Sequence, residues 1–127
     1  MPNFTIFGND ATAKTLSSGE EGVIASNGNL VVQSGIAITA TDSTNIAVLG
    51  TVGAVNASGI RLNGVSNGSI TVGTSATVFS LSSDAVQAIK SSGFANVINN
   101  GEITSTASDG VELTVTGGFA SVQKGFD

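Results

Sequence analysis

Two groups of side chains in this chain have the types and spacing for chemistry. Asp84 and Asp109 stand in equivalent strings, SDA at 83–85 and SDG at 108–110. If the fold stacks those strings, the two carboxylates lie about 5 Å apart, where they repel unless a cation, a proton or solvent relieves them. Calcium, which takes oxygen ligands, is the cation such a pair would hold. The competing reading is two corner residues that accept hydrogen bonds from turn amides, as Asp, Asn and Ser do. Ser34 and Ser58 hold the equivalent place earlier in the chain, and they favour that second reading.

The other group is Arg61, Gln87 and Glu112. Each follows the apolar residue that opens a repeat, so the three share an outward column. A glycan-cleaving site would use a carboxylate and a basic group on such a strip as acid and base. No second carboxylate or aromatic platform is expected beside them, so the strip reads as a solvated face that could at most bind a polysaccharide. No His or Cys is present to activate or supply a nucleophile. Gly117 and Gly118 precede no helix whose N-terminus could hold a phosphate.

The element that positions both groups is a repeat. Residues 83–97, SDAVQAIKSSGFANV, recur without a gap at 108–122 as SDGVELTVTGGFASV, and the match includes Phe94 with Phe119. A fixed offset of this length marks a stacked-repeat architecture. Counting back, the openings Ser34-Gly35-Ile36, Ser58-Gly59-Ile60, Asp84-Ala85-Val86 and Asp109-Gly110-Val111 are spaced by 24, 26 and 25 residues. Apolar residues alternate within each repeat, as in Ile70-x-Val72 and Val111-x-Leu113-x-Val115, which is the period of a half-buried strand. Asn-Gly pairs at 27–28, 63–64, 67–68 and 100–101 separate these runs. Such pairs often close hairpins, but a hairpin meander gives no reason for one fixed offset.

The expectation is therefore all-β: a short, single-stranded parallel β-helix with about 25 residues and three strands per coil. Residues 1–29 form an N-terminal strand and irregular capping coil, and 30–127 form the solenoid. Ile46, Ile70 and Ala95 would stack in one inward column, Val48, Val72, Val97 and Val122 in its neighbour, and Val78 with Ile103 on another face. Pro2 and the 3–26 segment would blunt one sheet edge, leaving Lys124 and Asp127 as the candidate blockers of the other. That second end is expected to be covered by another copy or continued in a longer protein.

Composition narrows the partners. Phe is the only aromatic type, charged residues make up 10%, and the net charge is −5. Lys14, Arg61, Lys90 and Lys124 are too few and too scattered for a nucleic-acid footprint or a polybasic membrane patch. No apolar run approaches the ~18 residues of a spanning helix, so membrane insertion is not expected. The N-terminus lacks a basic segment followed by an apolar one, so the chain is either cytoplasmic or exported by a route that does not read it.

The strings SGIRLNGVSNGSITV, NNGEITSTASDGVEL and FTIFGNDATAKTLSSGEEGVIASNGNLVV resemble repeat-rich, Cys-free, acidic regions of bacterial type I secreted proteins of the hemolysin-type (RTX) group. They are also similar to right-handed parallel β-helix passenger regions of adhesins. The resemblance implies a secreted or cell-surface location with export directed from the C-terminal side. The calcium-binding Gly-Gly-x-Gly-x-Asp nonapeptide of that group is missing here, because Gly117-Gly118 continues as FASVQK. The functional expectation is a non-enzymatic structural or adhesive solenoid module that binds copies of itself through ends or faces and needs no cofactor, calcium being the one candidate. The alternative is a glycan-binding or glycan-processing domain.

Overall fold

The computed structural model describes residues 2–16, 19–41, 44–64, 68–90, 94–115 and 119–124. These residues form strands and turns only. The first coil holds β1 (Pro2–Ile6), β2 (Asn9–Asp10) and β3 (Lys14–Leu16); the second β4 (Glu20–Ile24), β5 (Asn29–Val32) and β6 (Ile38–Ala40). The third holds β7 (Thr44–Val48), β8 (Thr51–Ala54) and β9 (Ile60–Gly64); the fourth β10 (Gly68–Val72), β11 (Thr77–Ser80) and β12 (Val86–Lys90). β13 (Phe94–Asn99), β14 (Glu102–Ser105) and β15 (Val111–Val115) make the fifth, and β16 (Phe119–Lys124) lies on β13. Strands one coil apart pair in parallel, building a first sheet β1-β4-β7-β10-β13-β16, a second β2-β5-β8-β11-β14 and a third β3-β6-β9-β12-β15. The expected β-solenoid with three strands per coil is the fold.

Alternation decides which side chains meet inside. In β7, Thr44, Ile46 and Val48 are buried while Asn45 and Ala47 face outward. Stacking turns this into continuous columns, such as Leu30-Val52-Val78-Ile103 in the second sheet and Ile38-Ile60-Val86-Val111 in the third. Leu30, Val52, Val78, Ile38, Ile60 and Val86 are fully buried. Each such burial stabilises the fold by about 1.5 to 3 kcal/mol, which explains how a chain with so few aromatics forms a core.

The N-terminal end is closed by a different chemistry. Asp10 and Lys14 occupy the inward registers, opposite Leu30 and Ile38, and form an ion pair at 3.0 Å. Charges at inward positions of an edge strand discourage further stacking. Beside them the Phe4 ring fills the space over Gly22, where an added Cβ would come within 2.5 to 3.0 Å of three ring atoms. Residues 2–24 thus supply β1 to β4 to the same three sheets as the rest of the chain.

The corner between the first and second sheets alternates in length. Residues 25–28 and 73–76 make four-residue turns closed by Gly28 N–H to Ala25 O (2.7 Å) and Ala76 N–H to Gly73 O (3.0 Å). Residues 49–50 and 100–101 make two-residue corners that nest on those turns. A Cβ on Gly50 would collide with the carbonyl oxygens of Gly28 and Ala25, and one on Gly101 with those of Gly73 and Ala76. Among the described residues every strand pair is parallel, so the Asn-Gly pairs at 27–28 and 100–101 close no hairpin.

Two registers differ from the sequence expectation. Ile60 pairs with Ile38, so Ser58 stacks on Ile36 and Ser34 is displaced from the column. Ile70 pairs with Val97, which leaves Ala95 opposite Gly68 and Val72 opposite Asn99. Both errors are slips of two residues. A slip of two keeps every inward residue inward, so alternation is blind to it. The Val78/Ile103 and Val97/Val122 registers and the backbone register of Phe94 with Phe119 hold. The side chains of Phe94, Phe119, Val122 and Lys124, with Gly117, Gly118 and Asp127, lie outside the described residues.

Candidate functional site

All five candidate residues stand on or just before the third sheet. Arg61, Gln87 and Glu112 occupy one register of β9, β12 and β15. Their side chains are hydrogen-bonded in series, with Arg61 Nε–H donating to Gln87 Oε1 at 2.8 Å and Gln87 Nε2–H donating to Glu112 Oε1 at 2.9 Å. All three are half-buried. Gln87 supplies an acceptor to one neighbour and a donor to the other, which a charged residue there could not do.

Asp84 and Asp109 are equivalent residues of successive coils, tied by Ala85 N–H to Asp109 O at 3.1 Å. They do different things. The Asp109 side chain is exposed. Asp84 is 4% exposed, and its Oδ1 accepts from Ser108 Oγ–H at 2.7 Å and from Asp109 N–H at 3.0 Å. Burial by itself would raise the Asp84 pKa. The hydroxyl of Ser108, the Asp109 amide, the Glu112 carboxyl and the Arg61 guanidinium together outweigh it and hold the carboxyl below its ordinary value.

Asp84 is thus bonded to the coil that carries Glu112. Parallel stacking explains this, because Asp84 is three residues ahead of Gln87 at the turn into β12 and faces the coil that carries Glu112. Among the described residues no three Asp or Glu side chains gather as they would around a metal ion.

Sequence reasoning missed the serines that hold this corner. Ser80, in a core column after Val32 and Ala54, is 1% exposed. Its Oγ–H donates to Ala57 O of the preceding coil at 2.7 Å and its oxygen accepts from Ser83 N–H at 3.0 Å. Ser105 repeats both bonds, donating to Ser83 O at 2.6 Å and accepting from Ser108 N–H at 3.0 Å. The signal was available: SLSSD at 80–84 and STASD at 105–109 extend the repeat backward by three residues.

Set against known proteins, the chain matches no family model, no curated protein and no solved structure. What it shares with β-helix repeat proteins is the parallel solenoid architecture itself.

Proposed function

We propose that this chain is a non-enzymatic β-solenoid module with a structural or adhesive role, associating with copies of itself and displayed as part of a secreted or cell-surface protein. One observation carries the reading. The polar groups that most resemble a site are bonded to one another from coil to coil, with Arg61 to Gln87, Gln87 to Glu112 and Ser108 and Asp109 to Asp84. Groups engaged in this way tie each coil to the next, which is a structural use of polar side chains. The test is molecular mass by light scattering from dilute to concentrated solution. The reading expects species above the monomer as concentration rises, and a strict monomer throughout would count against self-association.

A second reading is favoured by the bonding of the Asp84 carboxyl to the coil that carries Glu112, the last member of the strip that begins at Arg61. Two carboxyls and a guanidinium are the components of an acid and base pair on an acidic polysaccharide. Chain shortening of such a polymer, lost in Glu112→Gln and Asp84→Asn, would support it. Equal behaviour of native and variant proteins would remove it.

A further inference from the structure

The two ends of the solenoid present different edges. At the N-terminal end β2 and β3 carry the Asp10–Lys14 pair in inward registers, and Asp10 also accepts from Thr12 N–H at 2.8 Å. A coil laid on that end must strip water from an ion pair, at an energetic cost. At the other end β14, β15 and β16 are the last strands of their sheets among the described residues. Two core columns stop there on apolar side chains. Val78 and Val86 are fully buried, whereas Ile103 and Val111, one coil further on, are only partly so.

These three edge strands form a staircase. The chain climbs one strand spacing, about 4.8 Å, per coil, so β14, β15 and β16 stand at successive heights a third of that spacing apart. Only one two-fold arrangement fits such steps. An axis through the middle step sets β15 against its own copy and rests the high β16 of each chain on the low β14 of the other. An axis through the second sheet makes strands collide, and one through the first leaves a gap.

We infer that the C-terminal ends of two copies meet about the axis through β15, giving a closed dimer. The inference rests on the self-association proposed above and names its surface. The rotation reverses strand direction, so the new pairs are antiparallel. With Leu113 opposite Leu113 of the second copy, inward registers meet inward registers, and Glu112 stands opposite Thr114 instead of its own equivalent. The same axis emerges at the corner between the first and second sheets, where it brings the end of β16 beside the start of β14 of the second copy. β16 ends on Lys124 and β14 begins on the exposed Glu102, so the symmetry generates two pairs of opposite charge. Lys124 holds an inward register, opposite Asn99, where a charge without a partner opposes stacking.

Head-to-tail stacking lacks these matches. It sets Lys124 over the Ile6 register and places Asp10 and Lys14 of the next copy over Ile103 and Val111, so every inward charge lands on an apolar residue. An isologous contact also closes on itself, whereas a head-to-tail one propagates into a filament.

Sedimentation equilibrium of the 127-residue chain tests the dimer. The mass is expected to rise with concentration to that of two chains and to stop there. Glu102→Lys and Lys124→Glu should each weaken dimerisation roughly tenfold, because each puts like charges into two symmetry-related pairs. The two changes together should restore it. A mass that grows past two chains would overturn the inference, as would a dimer indifferent to both single reversals or a double variant no stronger than either. In those cases self-association stands on another surface. A strict monomer at every concentration would overturn the inference and self-association together.

Discussion

The two described corners of the prism solve one problem by opposite means. Both must turn the chain between sheets and stack on the coil below. Between the first and second sheets the solution is absence of side chains. Gly50 and Gly101 bring backbone onto backbone, and the residue after each corner donates to the coil beneath, as in Thr51 N–H to Gly28 O (3.0 Å) and Thr77 N–H to Gly50 O (2.9 Å). Between the second and third sheets the solution is polar side chains, in which Ser80, Ser105 and Asp84 reach the carbonyls and amides of the neighbouring coil. The first corner depends on volume and carries no titrating group in its contacts. The second depends on charge and hydrogen bonding.

Substitutions that respect one logic and violate the other separate them. The largest effect is expected at the glycine corner, where Gly50→Ala drives a methyl group into two carbonyl oxygens. A loss of about 3 kcal/mol or more is expected in denaturant unfolding, with no dependence on pH. Ala76, at the equivalent place in a four-residue turn, already tolerates a methyl group.

Acid should act on the other corner. The folded Asp84 carboxyl has its pKa lowered, so its contribution is fully present above the unfolded value of about 3.9 and is lost as pH falls through the folded value. Melting temperature should therefore fall below about pH 4, and Asp84→Asn should flatten part of that fall. Asp10, lowered by the Thr12 amide and by Lys14, supplies another part at the N-terminal end.

Ser80→Ala removes a buried hydroxyl and leaves the Ala57 carbonyl and Ser83 amide unpaired. A cost of about 1 to 2 kcal/mol is expected in the same unfolding measurement. Gln87→Ala is expected to be the mildest, at roughly 0.5 to 1 kcal/mol, because the half-buried ladder it breaks is partly replaced by water.

The contrast also explains what could be read from the chain. Alternation and the 25-residue recurrence of SDAVQAIKSSGFANV identify parallel stacking and three strands per coil, because both follow from repeated local chemistry. Register was legible only where the repeat is strong. From Val86 to Val111 the step is correct, whereas Ile38 to Ile60 and Ile70 to Val97 were each misplaced by two residues. The coil from Ile70 to Val97 contains the four-residue corner 73–76, whereas the coil from Ile38 to Ile60 is short because β6 and β7 begin six residues apart, against eight for β9 and β10. The candidate site was half legible. Its column of Arg61, Gln87 and Glu112 follows from the register, but the reach of Asp84 to the next coil depends on the path of a turn, which residue types do not specify.

The account holds that Asp84 belongs to the stack and is not a carboxylate kept for chemistry. The direct test is the melting temperature of Asp84→Ala against the native chain near neutral pH. Loss of a buried acceptor from Ser108 and Asp109 predicts a fall of roughly 5 to 10 °C. An unchanged or raised melting temperature would contradict it, because removing a carboxylate held at a cost to stability relieves that cost.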